Sequence, residues 1–295
     1  MEAHPPAETD VAPPATLPAD LRLGPVHLTV TDLDRSVAFY GDALGLRLHR
    51  REDPVAALGT GGEDLLVLVE EPAARPPGRH AGLFHFALLH PSREELARAV
   101  VRLDATATPI DGASDHGVSE AIYLSDPDGN GIELYADRPR ERWPAPGAGE
   151  RVGMFTRPLD LRGLVDPVAG EEPRRHSGEG LAVGHLHLHV GDVDRGLTFY
   201  RDVLGFEEMV VLPGAAFVSA GGYHHHLGFN VWRGPGVPPA PADAVGLRHW
   251  TIILPGEADL TAARERLDAA GVEVEDGEGG LTVRDPWETR LKLVA

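Results

Sequence analysis

The chain has no cysteine. That removes disulfides, thiolate zinc sites, iron–sulfur clusters and cysteine nucleophiles together. Long apolar runs are missing too. Nothing approaches the ~20 residues that cross a bilayer, and the N-terminal MEAHPPAETDVAPPATLPAD lacks the apolar stretch of a secretory signal. Positive charge is scarce: 27 Lys and Arg stand against 46 Asp and Glu, a net charge of −19. No basic stripe is available to neutralise phosphates or to bind an anionic membrane, so neither nucleic acid nor membrane is expected as a partner. A cytoplasmic protein is expected, with the Pro/Ala-rich residues 1–21 as a disordered tail.

What is present is enough for a substantial core. The 295 residues are 42% hydrophobic and 25% charged, which suits one large or two ordinary domains. Histidine supplies the chemical hint. There are 15, and six of them fall in GHLHLHV and GGYHHHLGFN; imidazole is the commonest protein metal ligand.

The chain also repeats itself. LGPVHLTVTDLDRSVAFYGDALGL (23–46) matches VGHLHLHVGDVDRGLTFYRDVLGF (183–206) at a constant offset of 160, with His27, Asp32, Arg35, Phe39, Tyr40 and Gly45 among the identities. GLFHFALLHPSREELARAVVRLDA (82–105) matches GLRHWTIILPGEADLTAARERLDA (246–269), placing His85 on His249. Each segment reads as a β-branched strand, a capped amphipathic helix and further strands. Four such modules are expected in two domains, residues 22–140 and 181–295. The Pro/Gly/Arg-rich 141–180 would link them, and forty residues is long enough for part of it to pack on a domain.

Strand parity then selects candidates. His27 opposes Val26 and Leu28, His85 opposes Phe84 and Phe86, and Glu133 opposes Ile132 and Leu134. If they face one cavity, they form a two-histidine, one-carboxylate set that suits non-haem Fe(II) with open positions, Mn(II) being also possible. A mid-strand carboxylate needs a cation, a proton or solvent.

The modules resemble the vicinal oxygen chelate superfamily, which includes glyoxalases, antibiotic-resistance proteins and extradiol dioxygenases. SDHGVSEAIYLSDPDGNGIELYAD (114–137) resembles the extradiol signature: His116, Ile122-Tyr123, Asp126-Pro127, Gly129 and Glu133 are at its spacing, with Ser114 the one departure. The resemblance implies an α+β fold of four βαβββ modules paired into two domains with cupped mixed sheets. It implies His27, His85 and Glu133 as metal ligands, His116 as acid/base and Tyr123 as a hydrogen-bond partner of the substrate. The substrates would be an aromatic diol and O2, opened beside the diol as by a catechol 2,3-dioxygenase. A homo-oligomer would be in keeping with its exposed sheet edges.

The second copy keeps His187 and His249 but has Lys292 for Glu133 and Thr282 for Tyr123, and it lacks an equivalent of His116. An ammonium has no lone pair for a metal, so the second domain is expected to be degenerate. His224, His225 and His226 leave open an all-histidine site with His187 and His249 there. Two other functions fit the scaffold. One is a glyoxalase-like isomerase or thiol transferase with a fourth ligand such as Glu70. The other is a non-enzymatic binder of small molecules, for which net acidity favours cationic drugs.

Overall fold

The computed structural model describes residues 16–277 and 279–295. The first module runs β1 (Arg22–Leu23), β2 (Val26–Val30), α1 (Leu33–Asp42), β3 (Arg47–Glu52), β4 (Val55–Thr60) and β5 (Glu63–Glu70). The second has β6 (Gly82–Leu89), α2 (Arg93–Ala105), β7 (Gly112–Asp115), β8 (Ser119–Ser125) and β9 (Gly131–Asp137). Between the halves lie β10 (Arg157–Pro158) and α3 (Leu161–Val165). The third module has β11 (Ala182–His189), α4 (Val193–Leu197, extended by a wider turn over Thr198–Val203), β12 (Glu207–Leu212), β13 (Ala215–Ser219) and β14 (Leu227–Asn230). The fourth has β15 (Gly246–Ile253), α5 (Glu257–Ala269), β16 (Glu275–Gly277), β17 (Gly280–Arg284) and β18 (Arg290–Val294).

Local chemistry explains why the modules look alike. Asp32 accepts a hydrogen bond from Arg35 N, Ser92 from Glu95 N and Asp192 from Arg195 N, so three helices begin on the same side-chain cap. Gly45, at φ +69°, closes the turn after α1, and a Cβ there would lie 2.6 Å from Ser177 N. The repeated Asp-Pro turns are clamps. Asp126 accepts from Asp128 N, Asn130 N and, at 2.8 Å, Tyr40 Oη. Asp285 does the same with Trp287 N, Thr289 N and, at 2.6 Å, Tyr200 Oη. Each clamp joins the helix of one module to the turn of the next.

The sheets join differently from the expectation that each half closes upon itself. The first sheet is ordered β16-β17-β18-β15-β2-β5-β4-β3, with β1 on β15; the second is ordered β10-β7-β8-β9-β6-β11-β14-β13-β12. Module one therefore pairs with module four, through antiparallel β2 and β15, and module two with module three, through antiparallel β6 and β11. The repeat shows which segments are alike. It does not show which of four equivalent first-strand edges meet, because the backbone ladder is the same for any pair.

Residues 141–180 are not a bare connection. Leu164 and Val168 are buried in the main core and Val152 in a smaller cluster with Met209, while β10 extends the second sheet beside β7. Arg102, buried in α2, donates to Ala43 O and Leu44 O and to Ser177 Oγ, binding this segment to the end of α1. Of the expected tail, residues 1–15 lie outside the described residues. Leu17 and Leu21 are buried in the core, with Leu17 N donating to Gly205 O, so the tail expectation fails for this last stretch.

Candidate metal centre

The concave face of the second sheet gathers His85 on β6, Glu133 on β9 and His185 on β11. All three are buried, and their ligating atoms lie within 4.8 Å of one another. Glu133 Oε2 is 3.0 Å from His85 Nε2 and 3.0 Å from His185 Nε2. His85 Nε2 and His185 Nδ1 are buried without a well-directed hydrogen bond. Burial opposes charge on Glu133, but the imidazoles of His185 and His85 overcome that and hold its carboxyl well below the usual range. Burial also pushes the His185 imidazole down, so it is neutral at pH 7. Two imidazoles, one carboxylate and an orphaned nitrogen fit a divalent cation.

His27 is not part of this group. It lies on β2 in the first sheet, stacked on His249 with ring centroids 3.8 Å apart. The expected ligand set is corrected to His85, Glu133 and His185, because β6 meets β11 and not β2. One sequence signal distinguishes these histidines. His85 and His185 each lie seven residues before their helix cap, Ser92 or Asp192, whereas His27 lies five before Asp32. The repeat alignment pairs His27 with His187, so it directed attention two residues beyond the histidine that meets Glu133.

His116 and Tyr123 do reach the centre. Tyr123 Oη is 2.7 Å from His116 Nε2, and its ring is 5.6 Å from that of His85. His116 Nδ1 faces Phe155 O at 3.0 Å. A carbonyl only accepts, so Nδ1 carries the proton and Nε2 accepts the Tyr123 hydroxyl. Burial, reinforced by Glu133, raises the Tyr123 pKa and keeps the phenol neutral.

The histidine-rich segment flanks the same group of side chains. His187, directly opposite His85, receives Asn230 Nδ2 at 2.9 Å, and Asn230 Oδ1 accepts from His189 Nδ1 at 2.9 Å. His225 packs on His185 with centroids 4.1 Å apart. Asp137 Oδ1 lies 2.8 Å from His224 Nε2, and His224 Nδ1 lies 2.8 Å from His225 Nδ1. His224 Nε2–H donates to the carboxylate, so His224 Nδ1 accepts from His225 Nδ1–H and leaves a lone pair on His225 Nε2. His226 is bonded to Ser219 Oγ at 2.9 Å. His187 and His249 are on different sheets, which rules out the all-histidine site containing both. Phe84, Phe217 and Trp232 surround His187, with Trp232 exposed at the rim.

The two halves of this centre are not equivalent. Glu133 pairs with Ala87, two residues after His85. The matching position, two residues after His185, is His187, and its partner on β14 is Gly228. A carboxylate thus stands on one side and no side chain on the other. Glu70, the fourth-ligand candidate, instead accepts from Leu33 N at 2.8 Å in the first sheet.

Comparison with known proteins agrees with this architecture. The family model described as "Glyoxalase/Bleomycin resistance protein/Dioxygenase superfamily" matches residues 22–134 and 182–292. Catechol-2,3-dioxygenase of Bacillus subtilis (strain 168) is 43% identical over 272 residues, covering 90% of this chain and 94% of that one. Glyoxalase I from Zea mays superposes with a TM-score of 0.58 at 18% identity, over 93% of this chain and 92% of that one. A solved protein from Bacillus subtilis subsp. subtilis str. 168 gives a TM-score of 0.63 at 16% identity, over 95% of this chain and 86% of that one.

Proposed function

Since this chain belongs to the glyoxalase/bleomycin resistance/dioxygenase superfamily, we propose that it is an extradiol ring-cleaving dioxygenase acting on a catechol-type diol. Its 43% identity to a catechol-2,3-dioxygenase supports an enzyme of that kind. The observation that carries the reading is the buried His85–Glu133–His185 group, with Gly228 at the register position that matches Glu133 on the other module. Three protein ligands leave coordination positions for exogenous reactants, whereas a glyoxalase-type centre with a fourth protein ligand would need a donor where Gly228 has none.

His85, Glu133 and His185 would hold Fe(II), leaving a net charge of +1 for a diol monoanion to neutralise. Bound Fe(II) would supply the Lewis acidity and redox capacity that let O2 react with a closed-shell diol. The chain's own residues do the rest. Tyr123, hydrogen-bonded to His116 and paired across the strands with Glu133, can hydrogen-bond a substrate oxygen. His225, with Nε2 free, can take a proton from the diol and return it later. Phe84, Phe217 and Trp232 provide flat apolar walls for an aromatic ring. Phe155 and Trp143 of the inter-half segment pack beside His116 and His224 and restrict water on that side.

The test is O2 uptake by anaerobically Fe(II)-loaded protein across a panel of catechols, with absorbance scanned for a yellow ring-opened product. Uptake with yellow product, lost in Glu133→Ala, is expected. No uptake from fully iron-loaded protein would overturn the reading in favour of an isomerase or a binding protein.

A further inference from the structure

Lys292 is the chain's sole lysine; the other 26 of its 27 formal cations are arginines. It occupies a particular register. On β18 it pairs with Thr251 of β15, two residues after His249, as Glu133 pairs with Ala87 two residues after His85. Lys292 therefore stands to His249 as the carboxylate of the metal centre stands to His85. Where one sheet offers a cation site, the other presents an ammonium.

The surroundings match that inversion. Lys292 and Arg290, on the same face of β18, have no carboxylate partner among the described residues. His249 Nε2 is buried and unpartnered, and its ring stacks on His27. One step along the three strands, Thr29, Leu247 and Arg290 open into a cleft of about 460 Å³ whose walls also carry Arg233, Arg248 and Arg284. Acids face part of this array. Glu71 binds Arg248, Glu275 and Glu288 approach Arg284, and Asp64 lies near His27. Lys292, Arg290 and the half-buried Arg233 are left without one. Three cations without a carboxylate partner stand out in a chain of net charge −19.

We propose that this face and its cleft bind a small oxyanion, a carboxylate or a phosphate. Lys292 contributes a point charge with three donors, and Arg290, which lines the cleft, contributes a planar fork. The anion then lies beside the register position that holds Glu133 in the other sheet.

The sole lysine makes the test direct. The full chain is labelled with 13C-lysine, so that its NMR spectrum contains a single lysine spin system. It is titrated with inorganic phosphate and, separately, with acetate, ionic strength being held constant with chloride. A saturable shift of the Lys292 Cε signal is expected, weakened about tenfold or more in Arg290→Glu and unchanged in Glu133→Ala. The Glu133 variant excludes binding at the other centre as the source of the shift. A response to phosphate alone assigns a phosphate site; a response to acetate assigns a carboxylate site. A non-saturating shift that chloride reproduces, or an unaltered titration in Arg290→Glu, would overturn the proposal.

Discussion

At the centre of the second sheet Glu133 follows His85 in register; at the centre of the first, Lys292 follows His249 in the same register. The strands, caps and Asp-Pro clamps around the two positions are the same, yet the charges are opposite. The second centre is also closed, with His85, Glu133 and His185 buried, whereas Lys292 is exposed and His27 and His249 are half-buried. The scaffold thus fixes where a chemical group points and leaves its identity free. A carboxylate between two buried imidazoles attracts a cation, and an ammonium beside an orphaned imidazole attracts an anion.

The largest effect should come from removing the feature that separates the sheets. Glu133→Ala and His185→Ala should each lose bound metal and lower catechol-dependent O2 uptake by on the order of a thousandfold or more, measured by metal analysis and an oxygen electrode. His27→Ala should keep both, because His27 lies on the other sheet. Lys292→Glu should not raise the metal count above that of the parent protein. The first-sheet position seven residues before the Asp32 cap is Pro25, which offers no ligand.

A smaller loss should follow when the centre keeps its ligands but loses a neighbour. Tyr123→Phe should retain iron and lower kcat by roughly a hundredfold, and His116→Ala, which acts through the Tyr123 hydroxyl, should have an equal or milder effect in the same direction. Unchanged kcat in His116→Ala at saturating O2 would remove that residue from the mechanism. Asp137→Asn acts one step further out, through His224 on His225. A fall in kcat of about tenfold with unchanged KM and metal content is expected, and 15N signals of labelled histidine should report an altered His225 tautomer.

The smallest effect concerns acid stability of the first sheet. Burial, followed by Lys292, holds His27 at about 4; burial, followed by His27, holds His249 at about 3. Both are neutral in the folded and unfolded chain above about pH 6.5. As pH falls from there the unfolded chain binds protons that the folded one refuses, so stability declines until the folded values are passed. The double variant His27→Gln, His249→Gln should show a shallower fall in Tm between pH 6.5 and 4, by roughly 2–4 °C, read by thermal melts across that range.

Much of this was legible in the chain. The four modules follow from the offset matches, the helix starts from Asp32, Ser92 and Asp192, and His85, Glu133, His116 and Tyr123 from strand parity and the signature spacing. His27 does not join Glu133: identity across the repeat favoured the His27/His187 pair, while the histidines that meet Glu133, His85 and His185, lie seven residues before their helix caps. His225 was visible only as part of a cluster; its hydrogen bond to His224 and its stacking on His185 bring it to the cavity. The linking segment was legible as proline- and glycine-rich, but not as the wall that accepts the His116 proton through Phe155 O.

The sequence by itself determined the module, its local caps and turns, and the side chains each strand presents on one face, because these depend on contacts only a few residues long. The tertiary structure decided which module faces which. Four similar strand edges offer the same backbone hydrogen bonds, and only the packing of helices, clamps and the inter-half segment around the finished sheets selects β6 with β11 and β2 with β15. That choice brought His185, and not His27, to Glu133, and it left Lys292 with His249 on a face of opposite charge.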